Sequence, residues 1–457
     1  AFLLTLTLTV CGSVLSSAVF PLGALNIYQS LAIFRALVGF GIGGEYPLSA
    51  TIASENSSAE YSGRVMAAVF SLQGVGTLLG AFVPLLCLAC GASDEFTWRF
   101  SLGFGACPGL ALAYFRLRME ETRQFRVRRR NIVASLGAKA DNRILILKTA
   151  LSTPAVLHAL AGTALSWFLL DVTFYGNSLF TADIVSDMGF DKGGLDLALS
   201  SFIIACIGYP GYLFTVVLID RVGRKRIQWT GFFMLAALFA TMAGFYQHFR
   251  TSKSAFFLIY GLTFFFSNFG PNATTYIIPG EIFPPEIRAT CHGISAAAGK
   301  IGAAITTFFF LAFRDVAGLH IFFVFCAAVA LDGLIITIWL IPTYDAEILR
   351  QAQEGLLNSY HRHDDGYQLA QDEKEEEPIF RPSERSQHAS FDSTHGDLGV
   401  ANSVTAALGS YVQHVLYGSS PTERAYDDPG AAGERMVDAL LVSGVESKHG
   451  EIRQSVN

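Results

Sequence analysis

The chain has 457 residues, of which 51% are hydrophobic and 15% charged, and a formal net charge of −6, with a mean hydropathy of +0.41. That balance excludes a water-soluble globular domain, and its acidic sign argues against nucleic acid as a partner, since phosphate backbones are met by an excess of Lys and Arg. What remains is an integral membrane protein, with much of the acid in a polar C-terminal end around EKEEE at 373–377.

A bilayer core is crossed by about 20 apolar residues at 1.5 Å rise per residue. Ten such runs follow one another: 2–20, 29–53, 65–90, 99–118, 154–181, 196–219, 228–246, 255–279, 289–313 and 319–341. The first begins at once after Ala1, with no basic or polar region ahead of it, which argues against a signal peptide and predicts a chain whose start is missing. The cysteines at 11, 87, 90, 107, 206, 291 and 326 fall in these runs or at their edges and are expected as free thiols. Cys87 and Cys90 have redox spacing but sit inside a span, without the fold context such a motif needs.

Between the fourth and fifth runs lies a basic loop, 119–153, with Arg123, Arg126, Arg128, Arg129, Arg130, Lys139, Arg143 and Lys148. Basic loops stay on the cytoplasmic side. Counting from it, the turn DRVGRKR at 220–226, the segments 55–64 and 280–288 and everything after 342 fall on the same side; Arg250 and Lys253 are a weak exception. Both ends are therefore expected in the cytoplasm. Four runs before such a loop and six after it resemble the major facilitator architecture, two six-helix halves that rock about a central site. The expected organisation is an all-α bundle with ten of twelve helices present: 1–118 an N-terminal half without its first two helices, 119–153 the loop, 154–341 a complete C-terminal half, and 342–457 a mostly disordered cytoplasmic tail. The tail histidines at 361, 363, 388 and 395 lack metal-ligand spacing, and neither metal nor cofactor is expected.

Chemistry enters where polar residues interrupt the runs. Trp167, Asp171 and Tyr175 are spaced i, i+4, i+8 and form one stripe on a helix. A carboxylate at mid-bilayer costs about 2.5–3.5 kcal/mol on insertion scales, so Asp171 either holds two helices together or lies on a substrate or ion path. In the second run Gly39, Gly41, Gly43 and Gly44 imitate a dinucleotide loop, but no strand precedes them; they read as small residues for close helix approach. Glu45 and Tyr46 follow, just before the helix-bending Pro47, with Arg35 almost three turns earlier. Lys300 lies about eleven residues into its run, a depth that favours a place in a cavity over snorkelling to headgroups. Asp332 and His158 carry no geometric argument and are expected as packing residues.

Three stretches, GIGGEYPLSATIASE at 41–55, DVTFYGNSLF at 171–180 and NFGPNATTYIIPGEIFPPEIRATCHGISAAAGKIGA at 268–303, together resemble the phosphate:proton symporter family of the major facilitator superfamily. The resemblance spans both halves, from about 29 to 341. It implies a transporter, not an enzyme, that takes inorganic phosphate and protons across the plasma membrane. It also implies a phosphate cage of Tyr46 and Gln73 from the first half with Trp167, Asp171, Tyr175, Asn272 and Lys300 from the second. Phosphate offers acceptors all round, so hydroxyls, an indole, amides and an ammonium suit it, whereas a bare carboxylate does not. Asp171 must therefore be protonated, or share the proton of dihydrogen phosphate, when substrate is bound. Glu45 and Asp171 are the expected proton-coupling acids; the family has Asp where this chain has Glu45, and its first two helices have no counterpart here. The DRVGRKR turn resembles the superfamily's latch, with Asp220 pairing Arg221 or Arg224, and Glu281 and Arg288 are expected in an inner gate. Membrane lipids surround the bundle, and the tail could bind regulators. Two rival readings stand beside this one: a sugar or organic-anion porter sharing the same turn, and a non-transporting phosphate sensor that signals through the tail.

Overall fold

The computed structural model describes residues 2–342 except 24, 56, 58–60, 119–150, 152–153, 190–192 and 284. The expectations for the basic loop and the tail thus lie outside the described residues. Within them all regular structure is helical: α1 (Phe2–Ser17), α2 (Ile27–Glu55), α3 (Ser62–Ala89), α4 (Asp94–Phe104), α5 (Ala106–Arg118), α6 (Pro154–Ser178), α7 (Thr181–Asp187), α8 (Gly194–Gly208), α9 (Pro210–Val222), α10 (Arg224–Gly244), α11 (Tyr246–Thr251), α12 (Lys253–Asn268), α13 (Pro271–Ile282), α14 (Pro285–Ala317) and α15 (Leu319–Leu340). Among the described residues seven helical stretches are long and apolar enough to cross a membrane, and α1 is a shorter apolar helix. Each of the ten apolar runs corresponds to a helix or to a broken pair.

The breaks have local causes. Proline has no N–H to donate and its ring clashes with the preceding turn, so α8 yields to α9 at Pro210 and α12 to α13 at Pro271, each Pro taking the first turn of the new helix. Between α9 and α10 the backbone of Gly223 has φ +93°, which a residue with a side chain rarely adopts, and this sharp turn sets Asp220 and Arg224 one above the other.

In a bilayer the lipid tails are as apolar as Leu, so helices associate through close packing and interhelical hydrogen bonds. The second half uses both. Large rings, Phe232, Phe239, Phe256, Tyr260, Phe310, Phe322 and Phe323, fill its core. Polar side chains stitch the helices: Asn268 Nδ2 donates to the Gly208 carbonyl at 3.0 Å, Thr215 Oγ1 to the Asn268 carbonyl at 3.0 Å, Gln228 Nε2 to Thr337 Oγ1 at 3.0 Å and Tyr260 Oη to the Asn177 carbonyl at 3.1 Å. One close approach is between α10 and the α12–α13 break, where a Cβ on Gly231 would run into Pro271 Cδ and the Gly270 backbone. Backbone cannot move aside as a flexible side chain can. Gly231→Leu is expected to destabilise the bundle by at least the roughly 1–3 kcal/mol of an overpacked core, read as a lowered thermal midpoint and loss of the monodisperse peak in size-exclusion chromatography.

In the first half α1 packs against α2, α4 and α5; in the second, α14 packs along α6 and α10 along α15. The halves meet where α3 runs beside α8 and α9, and where α2 touches α13 and α14. This places the Trp167 stripe of α6, Tyr46 of α2 and Lys300 of α14 around one point between the halves.

Candidate functional site

Small residues on α14 bring it close to α6: a Cβ on Gly299 would strike the Trp167 indole, and one on Gly302 would meet the Phe168 carbonyl and ring. That closeness lets the next residue, Lys300, reach the stripe. Its Nζ donates to Asp171 Oδ2 at 3.1 Å and to Tyr175 Oη at 2.7 Å. The ammonium also lies 4.3 Å from the Tyr175 ring centre and 5.4 Å from that of Tyr46, where a ring's negative face favours a cation. Tyr46 in turn meets Trp167 edge to face, with ring centres 6.0 Å apart. Five of the seven expected cage residues, Tyr46, Trp167, Asp171, Tyr175 and Lys300, are thus in one constellation. The two charges differ in exposure: the Asp171 side chain is 3% exposed and that of Lys300 41%. A buried carboxylate needs its partner far more than a half-open ammonium does, so Lys300 is the member able to exchange partners.

The other two expected members make no hydrogen bond to the Lys300 ammonium. Asn272, buried on α13, donates its amide to Tyr212 Oη at 2.8 Å and to Asn268 Oδ1 at 2.9 Å. Both of its N–H groups are committed, while the Tyr212 hydroxyl, accepting from Asn272, keeps its own proton to donate. Gln73 is half-buried on α3, and the neighbouring Gly74 leaves room for the Tyr212 ring, which a Cβ there would overlap. Nothing in the sequence marks Tyr212; it sits in a run of apolar residues, with spacing no different from a packing aromatic. A similar omission is Tyr276, whose ring stacks on Phe70 with centres 4.7 Å apart and lies 6.2 Å from Tyr46. Its hydroxyl meets Ser49 Oγ at 3.0 Å, linking α13 to α2 one turn beyond Tyr46.

Glu45 faces a different set. Arg116 of α5 grips it with both terminal nitrogens, Nη2 on Oε1 and Nη1 on Oε2 at 3.2 Å, and Thr5 Oγ1 of α1 donates to Oε2 at 2.9 Å. A two-pronged guanidinium–carboxylate pair is among the stronger hydrogen-bonded contacts. Arg35 is exposed on α2. Arg116, at the edge of its run, reads in sequence as one more basic residue leading into the basic loop, and nothing local marks it as the partner of Glu45.

At the end of the bundle that carries the Gly223 turn, Asp220 pairs with Arg224 at 3.0 Å, and Arg224 Nε and Nη2 reach the two oxygens of Glu281 at 2.7 and 2.8 Å. Arg64 of α3 comes within 3.9 Å of Asp220, so this network crosses between halves. Arg288 donates to the Phe283 carbonyl at 3.0 Å and to Ser54 Oγ at 3.2 Å rather than to Glu281. Arg221 is exposed, which leaves Arg224 as the basic member of the expected latch. Asp332 and His158, expected as packing residues, are exposed instead, on the outward faces of α15 and α6.

The family model for the sugar (and other) transporters matches residues 1–355. The chain belongs to that family. It is a family of transporters, not enzymes. Among its curated relatives, the protein named probable inorganic phosphate transporter 1-6 of Arabidopsis thaliana is 37% identical over 396 residues, 76% of each chain. The one named inorganic phosphate transporter 1-1 of the same plant is 38% identical over 360 residues, covering 67% of this chain and 68% of the relative. These names agree with the resemblance read from the three sequence stretches. Among solved structures, the proton:xylose symporter XylE bound to 6-bromo-6-deoxy-D-glucose superposes with a TM-score of 0.59 at 17% identity, covering 75% of this chain and 80% of that one. At that identity the likeness speaks for the fold, a major facilitator bundle.

Proposed function

We propose that this transporter carries inorganic phosphate together with protons by alternating access, inward across the plasma membrane, with its latch end in the cytoplasm. The relatives' names supply the substrate, and one observation supports the coupling: Lys300 holds Asp171 and Tyr175 at once. Dihydrogen phosphate entering beside Tyr46 and Trp167 draws the ammonium to itself. Asp171 is then a buried carboxylate without a counter-charge, which is costly enough that it takes a proton. Protonated, it donates to a phosphate oxygen instead of repelling it. Anion and proton therefore bind as a pair. On the cytoplasmic side Asp171 gives up the proton, recaptures Lys300 and leaves the phosphate without its cation, so release is coupled too.

The Tyr46, Tyr175 and Tyr212 hydroxyls, the Trp167 indole and the Gln73 amide offer further donors around the same anion. Asn272 acts through Tyr212, which it holds. The network of Arg64, Asp220, Arg224 and Glu281, with Arg288 on Ser54, is the inner gate that parts when the halves rock. Glu45 serves the proton route, and its grip by Arg116 must loosen for the carboxylate to take a proton. Glu45→Gln is expected to flatten the dependence of uptake on outside pH and to lower the rate several-fold at acidic pH; a pH profile parallel to that of the unaltered protein would count against the role.

Substrate class is tested by competition in proteoliposomes. Labelled phosphate uptake should be suppressed by arsenate, which has the same shape and charge, and be indifferent to hexoses. Suppression by a hexose and not by arsenate would make this a sugar porter.

A further inference from the structure

The cage described above leaves a fully buried imidazole unused. His292 on α14 is 0% exposed, two turns before Lys300. Its Nε2 lies 3.0 Å from the Tyr276 carbonyl. A carbonyl only accepts, so Nε2 carries the hydrogen, and the neutral ring presents Nδ1 as a bare acceptor. Nδ1 is buried and has no hydrogen-bond partner. The ring stands edge-on to two aromatics of the site, with centres 5.6 Å from Trp167 and 5.2 Å from Tyr276. An orphaned acceptor in a dry site is unfavourable and calls for a reason.

We infer that His292 is a second proton site of the transport cycle, dry and neutral while the inner gate is closed and loaded from the cytoplasm when it opens. The inference rests on the phosphate–proton reading above. Tyr276 is the hinge of the argument. Its carbonyl holds the His292 ring, while its hydroxyl bonds Ser49 of the first half. Passage toward the latch end requires the Ser49–Tyr276 contact to break, and water that enters there arrives beside the face of Tyr276 that His292 holds. Nδ1 then gains a partner, and at acidic cytoplasmic pH it gains a proton.

The surroundings set the sign. Among the described residues, the charged or titratable side chains on the elements packed around the ring are Tyr276 and Glu281 on α13, His158, Asp171 and Tyr175 on α6, Tyr28, Arg35, Glu45 and Tyr46 on α2, and Arg288, Cys291, Lys300, Arg314 and Asp315 on α14 itself. None of them hydrogen-bonds the ring. An imidazolium could not return to this dry site unpaired, so the gate recloses only after His292 has lost its proton. His292 is thus a brake: an acidic cytoplasm holds the inner gate open and slows the next cycle.

The test compares initial phosphate uptake into proteoliposomes at fixed outside pH and varied lumenal pH, for the unaltered protein and for His292→Phe and His292→Gln. Phe keeps a flat ring without an ionisable nitrogen; Gln keeps a donor for the Tyr276 carbonyl. The ratio of variant to unaltered rate should rise several-fold as the lumen is acidified and settle to a constant at alkaline lumenal pH. Because Asp171 is present in all three proteins, its own response to lumenal pH cancels in the ratio. A ratio constant across lumenal pH for whichever variant gives a monodisperse protein overturns the inference. Absence of phosphate uptake by the unaltered protein would instead overturn the reading beneath it.

Discussion

Asp171→Asn leaves a protein that exchanges phosphate across the membrane but no longer concentrates it. The side chain is buried against α14, with the Lys300 ammonium 3.1 Å from Oδ2, and an amide of the same shape fits the same space. Asparagine cannot take up or surrender a proton, so Lys300 is free for phosphate in every state and nothing ties anion release to proton release. The expected result is a steady-state accumulation ratio that falls to unity under an inward proton gradient, with phosphate–arsenate exchange retained. Near-normal accumulation by this variant would remove Asp171 from the coupling mechanism. Loss of exchange as well would mean that the carboxyl group is needed to hold the substrate and not only to couple it.

Lys300→Ala is the second large effect, and it acts twice. The cage loses its ammonium, and a hydrogen bond to a charged group contributes about 1.5–3 kcal/mol, which corresponds to roughly ten- to a hundredfold weaker phosphate binding. Asp171 also loses its counter-charge at 3% exposure, and breaking a buried pair from one side typically destabilises by about 3–5 kcal/mol. The two consequences separate in the double variant Asp171→Asn with Lys300→Ala, which no longer buries an unpaired charge. Its thermal midpoint is expected to recover toward that of the unaltered protein while phosphate binding stays weak, as measured by calorimetric titration. A double variant that recovers both would mean that Lys300 only neutralises Asp171.

What the sequence disclosed and what it withheld follow from the range of the interactions. The apolar runs are local, and each became a helix or a broken pair of helices. The breaks at Pro210 and Pro271 also have local causes, but an unbroken apolar run conceals them. The stripe of Trp167, Asp171 and Tyr175 was legible because helical spacing fixes it. Its partner Lys300 lies 129 residues away, and no periodicity connects the two; family resemblance named it, and the small residues Gly299 and Gly302 explain how it arrives. Resemblance also put Asn272 in the cage, where both its N–H groups turn out to be spent on Tyr212 and Asn268. Glu45 is conspicuous in the sequence as an acid beside Pro47, yet its grip by Arg116 joins the second and fourth apolar runs and is visible only once they are packed. His292 gave no sequence signal beyond being a histidine in an apolar run, because what distinguishes it is the missing partner of one nitrogen.

The central claim is that phosphate and a proton are held by one switch, Lys300 between Asp171 and the substrate. Its most direct test is phosphate accumulation by the reconstituted protein under an imposed inward proton gradient, with and without a protonophore. The account predicts accumulation well above the outside concentration, collapsing to equilibrium when the protonophore is added. Accumulation that persists without the proton gradient, or uptake that never exceeds equilibrium with the gradient intact, would contradict it.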